Sequence, residues 1–165
     1  MYAGIMIDTN NFVNRTGVRT FEAAAFLRRA GADITLVRKM FRDDMESYQA
    51  KAEIISSAEV YHEIFAIAKG VDLHIESPTI IGAQAANELL DISQIKASFV
   101  LTEYNGRIYV SARSIDEVNV QVMMEKLGGG GHMNASGAQF EHTNMNEAVA
   151  ALKKVIDDMK EGGDI

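Results

Sequence analysis

Four glycines stand in a row at Gly128 to Gly131, directly before His132. The run falls between a predicted helix, from about Asn119 to Leu127, and a predicted strand, Ala135 to Phe140. With no Cβ in the stretch, the backbone is free to take positive φ and can come close to whatever faces it. Two readings fit. In one, successive N–H groups form a concave nest that holds an anion such as phosphate. His132 then adds a donor, and Asn134, Ser136 and Gly137 prolong a small, polar surface. In the other, the run is a flexible helix C-cap, for which a single glycine suffices. Four glycines followed by histidine exceed what a cap needs.

Around this run the chain has the grammar of a compact α/β unit. Val60 to Ala68 reads as a strand closed by Gly70, and Pro78 sits at the first turn of a helix continuing through Ile80 to Leu90. Two β-rich stretches, Ala97 to Glu103 and Arg107 to Arg113, meet at Asn105-Gly106. Asn-Gly between such stretches marks a hairpin, because both residues tolerate positive φ. A last amphipathic helix is predicted over Asn146 to Lys160, with Val149, Leu152 and Ile156 inward.

The N-terminal part reads differently. Tyr2 to Ile7 is a continuous apolar run, the pattern of a strand buried on both faces of a parallel sheet. A helix follows from about Thr20 to Arg29, with Gly31 as its stop. One strand and one helix do not complete a parallel sheet, so its other strands are expected upstream. Asp33 suits the N-cap of a second helix carrying Leu36, Val37, Met40 and Phe41. A third helix, Asp44 to about Ser57, is predicted to turn Tyr48, Ala52 and Ile55 inward. The expected division is therefore the end of one α/β domain over 1–32, a helical connector over 33–57, and a mixed-sheet lobe over 58–165.

Composition narrows the partners. A net charge of −7 speaks against broad binding to long nucleic acid, which needs a dense Lys/Arg surface, but leaves room for a short nucleotide. With no cysteine, there is no disulfide, thiolate metal site or cysteine nucleophile, which suits a cytoplasmic location. No run approaches eighteen apolar residues. A membrane anchor on a longer parent protein stays open.

Two further motifs carry chemistry. In Ser111-Ala112-Arg113-Ser114 the strand period places Tyr109, Ser111 and Arg113 on one face. Arginine there can grip a phosphate bidentately beside the serine hydroxyl; the plain alternative is a solvated strand face. The glycine run comes only fifteen positions after Arg113, across one short helix. Asp8, in Asp8-Thr9-Asn10-Asn11, stands at the end of the expected buried strand, where α/β folds place ligands. It is either an oxygen donor for a hard cation or an Asx turn that ends the strand. His62, His74 and His142 are separated and lack ligand spacing, and the nine methionines read as core filler.

The stretch Gly128 to Gln139, GGGGHMNASGAQ, preceded by Ser-Ala-Arg-Ser, resembles the DHH phosphoesterase family and its DHH-associated C-terminal domain. The wording MYAGIMIDTNNFVNRTG, RTFEAAAFLRRAGAD and QAKAEI is similar to the cyclic-di-AMP phosphodiesterases of the GdpP type, membrane proteins of Firmicutes. The resemblance implies a substrate-binding lobe, with Ser111, Arg113, Ser114, Gly129, Gly130, Gly131, His132, Asn134 and Ser136 on the nucleotide side. It implies Asp8 as one ligand of a pair of Mn²⁺ ions, and conversion of cyclic-di-AMP to pApA. The family's Asp-His-His triplet and earlier Asp-x-Asp are absent from this chain. The chain by itself is thus expected to be an incomplete catalyst whose partner is the upstream DHH half. Other readings are a phosphoesterase of short oligoribonucleotides, an RNA-binding module similar to the C-terminal part of alanyl-tRNA synthetases, and a homodimer formed through an exposed sheet edge.

Overall fold

A computed structural model describes residues 1–13, 16–73, 75–115, 117–163 and 165. Its contacts divide the chain into two units, Met1–Asp44 and Met45–Ile165. No helix among the described residues is long and apolar enough to cross a membrane.

The N-terminal unit consists of α1 (Tyr2–Asp8), α2 (Val18–Arg29) and α3 (Ile34–Met40). The expected strand over Tyr2 to Ile7 is therefore a helix. An apolar run of this length does not distinguish a buried strand from a helix by periodicity. A lone strand also leaves its backbone groups unpaired, whereas a helix satisfies them locally: Ile5 N–H donates to Met1 O and Thr9 N–H to Ile5 O, each at 3.1 Å. Asn10, Asn11 and Phe12 then take positive φ in succession. Thr9 Oγ1 accepts from Phe12 N at 2.9 Å, and the Phe12 ring stacks on Phe21 at 5.5 Å. Gly31 (φ +97°) ends α2 as expected, and Asp33 Oδ1 caps α3 by accepting from Leu36 N at 3.1 Å.

The C-terminal unit is a six-stranded sheet between two pairs of helices. In chain order it contains α4 (Met45–Ser56), β1 (Glu59–Tyr61), β2 (Phe65–Gly70), α5 (Pro78–Leu89), β3 (Ala97–Tyr104) and β4 (Arg107–Ser114). There follow α6 (Val120–Lys126), β5 (Gly130–His132), β6 (Ala135–Glu141) and α7 (Met145–Glu161). The strand order is β1-β2-β3-β4-β6-β5, and only β2 and β3 are parallel, joined by the crossover helix α5. This is the mixed α/β lobe the sequence implies. The split at Asp44 divides the expected 33–57 connector, because α4 buries Ala50 and Ile54 in the same apolar cluster as α5 and β2.

Period two along the central strands feeds two cores. Phe65, Ile67, Phe99, Leu101, Ile108 and Val110 face α6 and α7, meeting Met123, Leu152 and Ile156. Ala66, Ala68 and Val100 face α4 and α5, meeting Ile54, Ile81 and Leu89. The second cluster contains no residue of β4, β6 or β5, so that end of the sheet face is not packed into a helical core. Small residues let α5 lie close to the sheet. Ser98 Oγ donates to Ala86 O at 2.6 Å, and a Cβ on Gly82 would come 2.7 Å from Thr102 Cγ2.

Two local expectations change. The buried residues of α4 are Ala50 and Ile54; of the predicted stripe Ile55 is half-buried against the same cluster, while Tyr48 and Ala52 are exposed. The single strand expected over Val60 to Ala68 is a β1–β2 hairpin turning at His62 and Glu63, with φ of 48° and 69°. Neither residue is a usual turn former, so the sequence carries no turn signal there.

Side chains from α7 anchor that turn. Tyr61 OH donates to Asp157 Oδ1 at 2.7 Å, and His62 Nε2 lies 2.7 Å from the same oxygen. These bonds, His62 first and Tyr61 next, hold the Asp157 carboxyl below its ordinary value, while the same carboxylate raises the Tyr61 phenol. A depressed carboxyl stabilises the fold above its unfolded pKa, and that stability is lost as pH falls through the folded value. Asp157→Asn should therefore flatten the acid side of a stability–pH curve while changing its neutral slope little. An unchanged acid limb in denaturant titrations would refute the anchor.

Candidate functional site

The glycine run divides into parts with different tasks. Gly128 is the left-handed C′ residue of α6 (φ +79°), with its N–H on Glu125 O at 3.0 Å. Gly129 N–H reaches Met124 O at 2.8 Å, which completes a Schellman cap. The run then straightens into β5 at the edge of the sheet. A Cβ on Gly129 would lie 2.1 Å from Gly137 O, and one on Gly131 would lie 2.6 Å from Ser136 Cα. Gly130 has nothing within 4 Å of its Cβ direction. Only Gly128 and Gly131 in the run take positive φ, and the run is built as a helix cap followed by an edge strand.

Register decides which side chains meet. Arg113 on β4 lies opposite Ala135 on β6, and Ala135 lies opposite His132 on β5. The next rung is Ser111, Gly137 and Gly130, and the one beyond pairs Tyr109 with Gln139. All of these share the face that the α4–α5 core leaves uncovered. Between the arginine and the histidine the floor is Ala135, Gly137 and Gly130, almost bare backbone. The face opens into a cleft of about 400 Å³ lined by Thr79, Tyr109, Ser111, Gly129, Gly137 and Gln139, among others.

Ser114 and Ser136 belong elsewhere. Both are buried and point to the opposite face. Ser114 Oγ donates to Met133 O at 3.3 Å, and Ser136 Oγ to His132 O at 2.5 Å. Asn134 O accepts from Ser114 N at 3.1 Å. These three residues shape the β5–β6 turn and thereby set where His132 stands.

Arg113 is fixed by neutral oxygens. Its Nε donates to Asn87 Oδ1 at 3.1 Å and its Nη1 to Ala112 O at 2.9 Å. Neither partner neutralises it. Burial pushes its pKa down from the usual guanidinium value, yet arginine keeps its charge at any ordinary pH. A partly desolvated cation oriented by dipoles is a ready receptor for an anion. Asn87 on α5 and Gln139 on β6 were invisible to sequence reasoning as site residues. Period two does place Gln139 with Ala135 and Gly137, but the pairing register that sets it beside Tyr109 is not a local signal.

Asp8 lies in the N-terminal unit, exposed at the end of α1. Among the described residues no group of three or more His, Asp or Glu is arranged to hold a metal ion. These donors do not by themselves fit a two-ion centre. His62 is bound to Asp157, His142 follows β6 with φ of 56°, and His74 lies outside the described residues.

The DHHA1 domain matches residues 66–158, from β2 into α7. The chain is 43% identical over 164 residues to the cyclic-di-AMP phosphodiesterase GdpP of Geobacillus thermodenitrificans, covering 99% of this chain and 25% of that protein. It is 42% identical over 158 residues to the cyclic-di-AMP phosphodiesterase PdeA of Listeria monocytogenes, covering 95% of this chain and 24% of the relative. The chain thus spans about a quarter of the length of these curated relatives. Among solved structures, an exopolyphosphatase-related protein from Bacteroides fragilis shares the fold with a TM-score of 0.85 at 23% identity, over 95% of this chain and 48% of that one.

The glycines offer a matched test of this geometry. Gly129→Ala should destabilise the unit by about 1–3 kcal/mol, the usual cost of overpacking, because its methyl meets the β6 backbone. Gly130→Ala should leave stability nearly unchanged. Equal denaturation midpoints for the two variants would contradict the β5–β6 packing.

Proposed function

The chain belongs to the DHHA1 domain family, and on that footing we propose that its open sheet face grips the phosphate of a cyclic dinucleotide. In this reading the chain is the substrate-holding part of a metal-dependent phosphodiesterase that converts cyclic-di-AMP to pApA. The observation that carries the proposal is the Arg113–Ala135–His132 rung, two donors flanking a floor of one alanine and two glycines.

The physical roles follow from the layout. Arg113, desolvated and held through Nε and Nη1, meets a phosphoryl oxygen with its remaining donors. His132 faces it across Ala135 and donates from the other side. Ser111 adds a hydroxyl one rung away, and Gly130 and Gly137 let a sugar–phosphate backbone lie against the sheet. The edge position of β5 leaves outward N–H groups without a strand partner, a further supply of donors. The family relationship supports Mn²⁺ as the metal of the longer parent, with Asp8 as one ligand. The remaining ligands would have to come from outside this chain, so its own residues hold the substrate and do not cut it.

Two measurements test this. Incubated with Mn²⁺ and cyclic-di-AMP, the chain of 165 residues should release no appreciable pApA; efficient turnover would overturn the division of labour. In the full-length parent, Arg113→Ala should raise KM by roughly ten- to a hundredfold, as expected for losing a charged hydrogen bond of about 1.5–3 kcal/mol. His132→Ala should act in the same direction. If both variants turned over substrate normally, the clamp would be wrong.

A further inference from the structure

One rung on from Arg113 and His132, Ser111 and Gly137 line the cleft, which extends to a third rung that the phosphate reading does not use. There Tyr109 stands opposite Gln139 across the β4–β6 pair. Thr79, in the first turn of α5, lines the same cleft, and Gly128 and Gly129 form its far rim. Tyr109 is half-buried and Gln139 exposed, and both lie on the open face of the sheet. An aromatic ring and a primary carboxamide side by side, in a cleft whose remaining lining is largely small residues and backbone, are suited to a flat heterocycle.

We propose that Tyr109 and Gln139 form a nucleobase subsite that takes adenine, with Tyr109 as the stacking surface and Gln139 reading the base edge. The inference rests on the phosphate reading only for its direction along the sheet. Spacing supports it. Tyr109 and Arg113 are four residues apart on one strand, about 13 Å at roughly 3.3 Å per residue. Both side chains stand on the same face of that strand, and the span leaves room for a nucleoside monophosphate along it. Stacking on an aromatic favours any base and does not discriminate among bases. Discrimination falls to Gln139. A carboxamide matches adenine with both its groups, accepting from the 6-amino group while donating to N7. Guanine presents two acceptors on the same edge, where the carboxamide oxygen finds no donor. Next to the base, Gly128 and Gly129 add no side chain that would block the rim.

The test is a titration of the isotopically labelled chain, followed by backbone amide NMR, with three probes: 5′-AMP, 5′-GMP and ribose 5-phosphate. AMP should shift amides around both Tyr109–Gln139 and Gly130–His132, whereas ribose 5-phosphate should shift only the second group. AMP should bind at least several-fold more tightly than GMP. Gln139→Leu should abolish that preference while leaving ribose 5-phosphate binding unchanged, and Tyr109→Leu should weaken both nucleotides about equally. An otherwise superimposable spectrum confirms that each variant is folded. If AMP shifts no amide beyond those moved by ribose 5-phosphate, or if Gln139→Leu keeps the preference for AMP, the base subsite is wrong. If AMP moves the Tyr109–Gln139 amides but no probe moves the Gly130–His132 group, the base subsite stands and the phosphate clamp falls.

Discussion

The site depends on how closely β5 can lie against β6. At Gly129 and Gly131 the space for a side chain is already occupied by the backbone of Gly137, Ala138, Ala135 and Ser136. Any Cβ there would push the edge strand away, and His132 would leave the rung it shares with Arg113. The same contact makes the floor flat, because two of the three positions between those side chains carry no side chain at all. Glycine here is needed mainly for close approach and only at Gly128 and Gly131 for an unusual φ.

A second constraint is the unequal coverage of the sheet. Helices α6 and α7 close one face over the apolar positions of β2, β3, β4 and β6, while the α4–α5 cluster stops at β3. That leaves polar and small residues of β4 and β6 facing a cleft. Arg113 stands one rung away on the same face, where α5 supplies Asn87 to hold it. The helix that stabilises the core thus also aims the cation. Partial burial raises the electrostatic value of that charge, since fewer waters compete for it.

Much of this was legible in the chain. The Asn105-Gly106 hairpin, Pro78 opening α5 and the stripe of α7 are local signals with local causes. The shared face of Tyr109, Ser111 and Arg113 was legible from the strand period. What misled was ambiguity without a local arbiter. An apolar run at Tyr2 to Ile7 fits strand or helix, and the turn at His62 and Glu63 is held by Asp157, some ninety-five positions away.

By itself the sequence determined the elements and the residue types offered for binding, because turn chemistry, capping and periodicity act over a few neighbouring residues. Only the tertiary structure decided which of those residues meet. Register across β4, β6 and β5 brought Arg113 and His132 to one rung and turned Ser114 and Ser136 to the other side. It also set Asn87 beside Arg113 and Gln139 beside Tyr109, pairings that no local pattern marks. The physical reason is that a strand's pairing is set by long-range packing, and a shift of one residue would exchange its two faces.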